Sequence, residues 1–224
     1  MNNPEVIQDR TRAGKLLAWK LHEFVGDNAV VTGITRGGVL VAAAIAAELG
    51  LPLEIIPCRK IKHPSDNHKS LGAVCGDEVS THYEDHDIPQ DYIYHQINMI
   101  RYALALERKY YYGDECPASL NGKTVIVADD WLQTGDTILA SLKSILKQNP
   151  HKLIVAIPFL SIACANVLRQ HANEIIYLQL DQHVRTAAEC FIHFPEVEME
   201  EVKASLRKLK NSRTLVNHHN PNIL

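Results

Sequence analysis

Asp129 and Asp130 stand side by side after an apolar run, Val125 to Ala128, and Thr134-Gly135-Asp136-Thr137 follows four residues later. The run suits a strand buried on both faces. An unpaired charge inside such a strand is strongly unfavourable, so the two carboxylates mark its carboxyl end. Beyond them, hydroxyls and a glycine lead into an apolar helix from Ile138 to Leu146. Carboxylates accept hydrogen bonds from sugar hydroxyls, while loop amides and the positive end of a helix dipole attract phosphate. Together the parts suit a sugar phosphate. The bland alternative is that a strand ending in Asp, followed by a capped helix, occurs in many α/β proteins.

A second strand–turn–helix unit precedes this one. Ala29 to Ile34 runs into Thr35-Arg36-Gly37-Gly38 and then into a helix from Val39 to Leu49. The glycines either merely permit a tight turn or form an anion nest to which Arg36 adds charge. The turn is neither a Walker A loop nor a G-x-G-x-x-G dinucleotide turn. A third strand, Leu53 to Cys58, ends in Arg59-Lys60, and the polar segment Ile61 to Asp77 follows. That segment reads as a solvated basic loop or as a mobile lid whose cations close over an anion. His82 and His86 are four apart, but without His-Glu-x-x-His they do not indicate zinc.

Val125 to Thr137 resembles the phosphoribosyl-diphosphate signature of type I phosphoribosyltransferases: four apolar residues, two acids, two mostly apolar residues, a variable one, then Thr-Gly-x-Thr. Arg-Lys-Ile-Lys-His-Pro at 59–64 and Leu-Gly-Ala-Val at 71–74 are similar to a stand-alone subgroup whose base substrate is generally unassigned. Val-Ala-Ile-Pro at 155–158, and Phe191, Phe194 and the acidic turn after them, resemble the same subgroup. The resemblance implies an α/β fold with a mostly parallel central sheet, helices on both faces, a flexible lid at 61–77 and a small hood. It also implies transfer of a phosphoribosyl group from phosphoribosyl diphosphate to a nitrogenous base, with Mg²⁺ and release of diphosphate.

Residue by residue, the resemblance gives Asp129 and Asp130 the ribose hydroxyls, with Mg²⁺ near them directly or through water or those hydroxyls. Thr35, Arg36, Gly37 and Gly38 would bind the diphosphate, with an unusual peptide geometry between Thr35 and Arg36. Arg59 and Lys60 would add positive charge, and Gln133, Thr134, Gly135, Asp136 and Thr137 would hold the 5′-phosphate. Hypoxanthine-guanine enzymes of the family carry an acid where Gln133 stands. An amide cannot transfer a proton at neutral pH, so those two bases are disfavoured and the base is left open. Asp136 is expected to cap the helix or meet water, and Trp131 either packs in the core or lines a base pocket.

The remaining features bound the reading. The 224 residues suit one α/β domain over 1–224, with 211–224 expected as a loosely held tail. A net charge of −3 gives no general attraction to nucleic acid, and five cysteines without Cys-x-x-Cys suit reduced thiols in a cytoplasmic protein. No signal sequence or bilayer-length apolar run is evident. Amphipathic helices are expected over 6–25, 91–112, 161–172 and 196–209, with strands at Lys152–Pro158 and Glu174–Leu180. Strands alternating with helices argue for a parallel sheet. The partners expected are small molecules, and family members are often dimers. Two other readings compete: a non-catalytic sensor of phosphoribosyl diphosphate or a nucleotide on the same fold, and a phospho-acceptor receiver domain. The receiver wants its acid pair near the amino-terminus and a third Asp ending a later strand, where this chain has Ile157-Pro158.

Overall fold

The computed structural model describes residues 6–24, 28–66, 69–81, 88–132, 135–182 and 186–218; at 24 and 213–218 it describes the backbone alone. In chain order the elements are α1 (Arg10–Lys20), β1 (Ala29–Ile34), α2 (Gly37–Leu49), β2 (Leu53–Ile56), β3 (Cys58–Lys62), β4 (Ser70–Cys75) and β5 (Glu78–Thr81). There follow α3 (Gln90–Tyr112), β6 (Thr124–Ala128), α4 (Asp136–Leu146), β7 (Lys152–Ser161), α5 (Ile162–Leu168), β8 (Glu174–Asp181) and α6 (Met199–His218).

The most apolar strands form a parallel sheet in the order β2-β1-β6-β7-β8. Every residue of β1 and β6 is buried, as expected of central strands covered on both faces. One face packs against α1, α2 and α6 through Leu17, Leu21, Ile45, Val202 and Leu206, and the other against α4 and α5 through Ile138, Leu142, Ile145 and Leu168. The chain leaves β1 toward β2 on one side, then returns to place β6 on the other. The gap between the carboxyl ends of β1 and β6 is therefore the topological switch point, where open α/β sheets bind ligands.

The hood is a second sheet, antiparallel and ordered β3-β4-β5. Its Ile61, Leu71 and Val74 pack on Ile93, Ile100 and Leu104 of α3. Within the polar segment 61–77, residues 61–62 and 70–75 are thus paired strand rather than irregular loop. Lys60 lies opposite Ala73, and Arg59 opposite Val74. β3 buries Cys58 toward α4 and Ile61 toward α3 and exposes Arg59, Lys60 and Lys62, which hides a strand behind a basic composition. Pro57 splits the strand expected over 53–58, and β5 adds a further short strand at the edge of the hood. His82 and His86 fall outside the described residues.

Two helix ends also differ from expectation. α1 begins at Arg10, where Asp9 accepts a 2.7 Å bond from the Arg12 amide, while Ile7 instead bridges to Phe191 in extended form. α6 continues past Leu209 to His218, so 211–218 is helical; no glycine or proline stops it before Pro221. No helix among the described residues is long and apolar enough to cross a membrane.

Candidate functional site

The acid pair emerges at the switch point, beside the turn between β1 and α2. Asp129 is buried, and its Oδ1 accepts a 2.9 Å bond from the Asp130 amide. Burial pushes the Asp129 carboxyl well above the usual carboxylate range; the neighbouring Asp130 charge adds to this, while Lys60 opposes it. Across from the acids, the Thr35–Arg36 peptide is cis, the unusual geometry anticipated there.

Both turn glycines are required by close approach. A Cβ at Gly37 would lie 1.9 Å from Asp130 Oδ2, and one at Gly38 would lie 2.8 Å from the Ala128 carbonyl oxygen and the Asp129 Cα. The structure therefore brings Thr35, Arg36, Gly37, Gly38, Asp129 and Asp130 into one place. The neighbours of the two glycines differ in kind: a side-chain carboxylate beside Gly37, and fixed backbone beside Gly38.

Asp130 is held from a third direction. Arg10 Nε donates to its Oδ2 at 2.7 Å, and Arg10 Nη1 donates to the Pro195 carbonyl at 2.7 Å. The same guanidinium lies 3.6 Å over the Phe194 ring, which stacks on Phe191 with centroids 5.1 Å apart. One buried cation thus joins α1, the acid pair and the segment before α6. Sequence reasoning missed this role, because the helical pattern around Arg10 shows only an amphipathic surface.

Arg59 and Lys60 lie on β3, at a cavity of about 380 Å³ that Thr35, Arg36 and Lys62 also line. Arg59 forms an ion pair with the buried Glu107 of α3, and Thr35 Oγ1 accepts a 3.2 Å bond from the Cys58 amide. Glu107 Oε2 and the Tyr111 hydroxyl, one helical turn apart, are buried and have no hydrogen-bond partners among the described residues. Burial pushes the Tyr111 phenol up to about 12, and the Glu107 charge reinforces the shift. Glu107 and Tyr111 were also missed; a charged residue and a tyrosine in a helical repeat give no sign that they face inward.

On the other side of the acids, Gly135 takes φ 77° at the capping position of α4, and Asp136 is the buried first residue of the helix. Asp136 lies in the first turn, at the positive helix end, and Gly135 rather than Asp136 holds the cap position, which leaves the other expectation for Asp136, contact with water. Arg36 and Gly135, at the cap positions of α2 and α4 beside the acids, make no side-chain cap hydrogen bond of their own, whereas Asp9 and Ser161 cap α1 and α5. The positive dipole ends of α2 and α4 suit an anion. The Thr137 carbonyl accepts from Ser141 Oγ at 2.8 Å. Gln133 and Thr134 lie outside the described residues. Trp131 packs with Ile7, Phe159 and Phe191, so its ring belongs to that cluster, with its indole N–H buried and without a hydrogen-bond partner among the described residues.

Among the described residues, no group of three or more His, Cys, Asp or Glu side chains could hold a metal ion. Asp129 and Asp130 supply hard oxygen donors of the kind Mg²⁺ takes when one or two carboxylates and substrate phosphates complete its shell.

Three comparisons bear on this arrangement. The phosphoribosyl transferase domain family matches residues 7–189. Two curated proteins of Mycobacterium tuberculosis, "Putative phosphoribosyl transferase MT0597" and "Putative phosphoribosyl transferase Rv0571c", are 26% identical over 208 residues, covering 90% of this chain and 46% of theirs. The chain therefore spans about half the length of the curated relatives it matches. The crystal structure of TT1426 from Thermus thermophilus superposes with a TM-score of 0.76 at 30% identity, covering 92% of this chain and 99% of that one.

Proposed function

The chain belongs to the phosphoribosyl transferase domain family, and on that premise we propose that it transfers a 5-phosphoribosyl group from phosphoribosyl diphosphate to a nitrogenous base and releases diphosphate. The observation that carries the reading is the interlock at the switch point, where the Gly37-Gly38 turn meets Asp129 and Asp130 between the starts of α2 and α4. The 5′-phosphate binds at the start of α4, over Gln133 to Thr137. The diphosphate binds the amides and hydroxyl of Thr35 to Gly38, with Arg36, Arg59 and Lys60 offsetting its charge. Between them, Asp129 and Asp130 take the ribose hydroxyls.

Breaking the glycosidic bond leaves positive charge on the ribose ring, and the two carboxylates lie where they stabilise it. Bound Mg²⁺ supplies charge neutralisation to the leaving diphosphate, with Asp129 and Asp130 as the protein's donors toward it. A cation bound beside Asp129 would favour ionisation of its carboxyl, which burial holds above the usual carboxylate range. The hood carrying Arg59 and Lys60 excludes water from the ribosyl cation. Hypoxanthine and guanine are disfavoured as acceptors because Gln133 cannot exchange a proton with the purine.

Titration calorimetry with phosphoribosyl diphosphate and Mg²⁺ tests binding, and diphosphate release across a panel of bases tests transfer. Binding with base-dependent release supports the proposal. Binding with no release from any base favours a sensor, and no binding by folded protein removes both readings.

A further inference from the structure

β3 and β4 set two cysteines against each other. Cys58 lies directly opposite Cys75 in the antiparallel register, so both side chains leave the same face of the hairpin. Opposed residues of an antiparallel pair have Cα atoms roughly 4.5–5.5 Å apart, inside the roughly 4.4–6.8 Å that a disulfide spans. A bond between the two sulfurs therefore needs no rearrangement of the backbone. Both residues are free thiols, buried in the cluster that includes Ile138 and Leu142 of α4.

Cys58 also touches both walls of the site. Its amide donates to Thr35 Oγ1 at 3.2 Å, and its thiol donates to the Thr137 carbonyl at 3.5 Å. Cys75 borders a cavity of about 440 Å³, which Gly76, Ser144 and the exposed Cys116 also line. A reagent as small as hydrogen peroxide thus has a route to Cys75 from the surface.

We infer that Cys58 and Cys75 are a modification site: a dithiol that hydrogen peroxide closes to a disulfide, and whose closure weakens phosphoribosyl-diphosphate binding. Cys75 reacts first. A hydrogen bond from Cys58 lowers its thiol pKa, with Ser141 and Ser144 of α4 adding to this and burial opposing it. The Cys75 sulfur attacks one peroxide oxygen and the O–O bond breaks. The departing hydroxide takes the thiol proton as water, leaving a sulfenic acid on Cys75. The Cys58 sulfur then attacks the Cys75 sulfur. The S–S bond forms, the S–O bond breaks, and a second water leaves with the Cys58 proton. Two thiols have lost two hydrogens, and one peroxide has become two waters. Oxidation takes the S–H away from the Thr137 carbonyl and turns the Cys58 side chain toward β4, so the start of α4 loses a contact to the strand that carries Arg59 and Lys60. A small dithiol reverses the step by exchange.

The whole chain, first reduced and then treated with hydrogen peroxide, tests the inference. Peptide mapping without reductant is expected to show Cys58 joined to Cys75, with the mass of two hydrogens lost and recovered on treatment with dithiothreitol. Calorimetry is expected to show phosphoribosyl diphosphate bound roughly fivefold more weakly after oxidation, with full affinity restored by reduction. Cys75→Ala keeps the affinity of the reduced protein and loses the response to peroxide. Cys58→Ser, which keeps a hydroxyl toward Thr137, does the same, and circular dichroism checks that both variants fold. Absence of the linked peptide overturns the inference, as does linkage through Cys116 instead, undiminished affinity in the oxidised protein, or a Cys75→Ala variant that still responds. The effect on affinity rests on the transfer reading, whereas the covalent step is read with no ligand present. Reduced protein that binds no phosphoribosyl diphosphate therefore defeats the transfer reading, and the peptide map still decides the dithiol.

Discussion

Arg10→Gln is the perturbation that most directly tests how the acid pair is held. The Arg10 and Asp130 side chains are only 8% and 13% exposed, so their pair counts as buried. Removing the cation leaves the Asp130 carboxylate without its counter-charge, a change that typically costs about 3–5 kcal/mol. The lost bond to the Pro195 carbonyl and the lost contact with Phe194 are part of the same disruption. Arg10→Lys keeps the charge but not the fork, so it cannot serve Asp130 and Pro195 together, and its expected cost is about 1–3 kcal/mol. The assay is urea unfolding of wild type, Arg10→Gln, Asp130→Asn and the double variant. The coupling energy is expected at about 2 kcal/mol, because Asp130→Asn removes the charge that Arg10→Gln would strand. In parallel, Arg10→Gln should weaken phosphoribosyl diphosphate roughly 10–100-fold by freeing a ribose-binding carboxylate to move. A coupling below about 0.5 kcal/mol would refute the argument that Arg10 holds Asp130 in place.

Three further perturbations follow from the site. Asp129 has a folded-state pKa raised above its unfolded value, so its contribution to stability is full below the ordinary carboxylate range and is lost as pH rises through the folded value. Asp129→Asn should therefore raise the urea midpoint at neutral pH, with the gain vanishing below about pH 4, while diphosphate release falls to background. Gly37→Ala displaces the Asp130 carboxylate and should reduce phosphoribosyl-diphosphate affinity more than stability, whereas Gly38→Ala meets fixed backbone and should lower the melting temperature further; calorimetry and thermal unfolding separate the two. Glu107→Gln removes the charge that neutralises Arg59. It should tighten diphosphate binding several-fold and lower the Tyr111 pKa from about 12, read by phenolate absorbance.

The parts of the molecule that were legible in the sequence are those built from neighbouring residues. β6, its acids and α4 lie within one short stretch, as do β1, the Thr-Arg-Gly-Gly turn and α2, so local pattern carried both. The register that sets one against the other is nonlocal, and only the resemblance to a family joined them in advance. The hood was harder because β3 exposes three cations in five residues, a composition that reads as solvated loop. Arg10 and Glu107 were harder still. Each is a charged residue on a helix, and the sequence holds nothing that distinguishes a cation on the surface from one pointed at an aspartate 120 residues away.

The contact from Arg10 to Pro195 spans 185 positions, and the bridge from Ile7 to Phe191 nearly as many. Translation at about 5–20 residues per second separates the appearance of Arg10 and Pro195 by roughly 10–40 s. The last strand of the main sheet ends at Asp181, before either partner in the later segment has been made. A nascent chain can therefore complete its sheet while Phe194 and Pro195 are still missing from the Arg10 contacts. Assembly of the acid site is consequently a late event in the life of each molecule, fixed by where the chain returns to its own beginning.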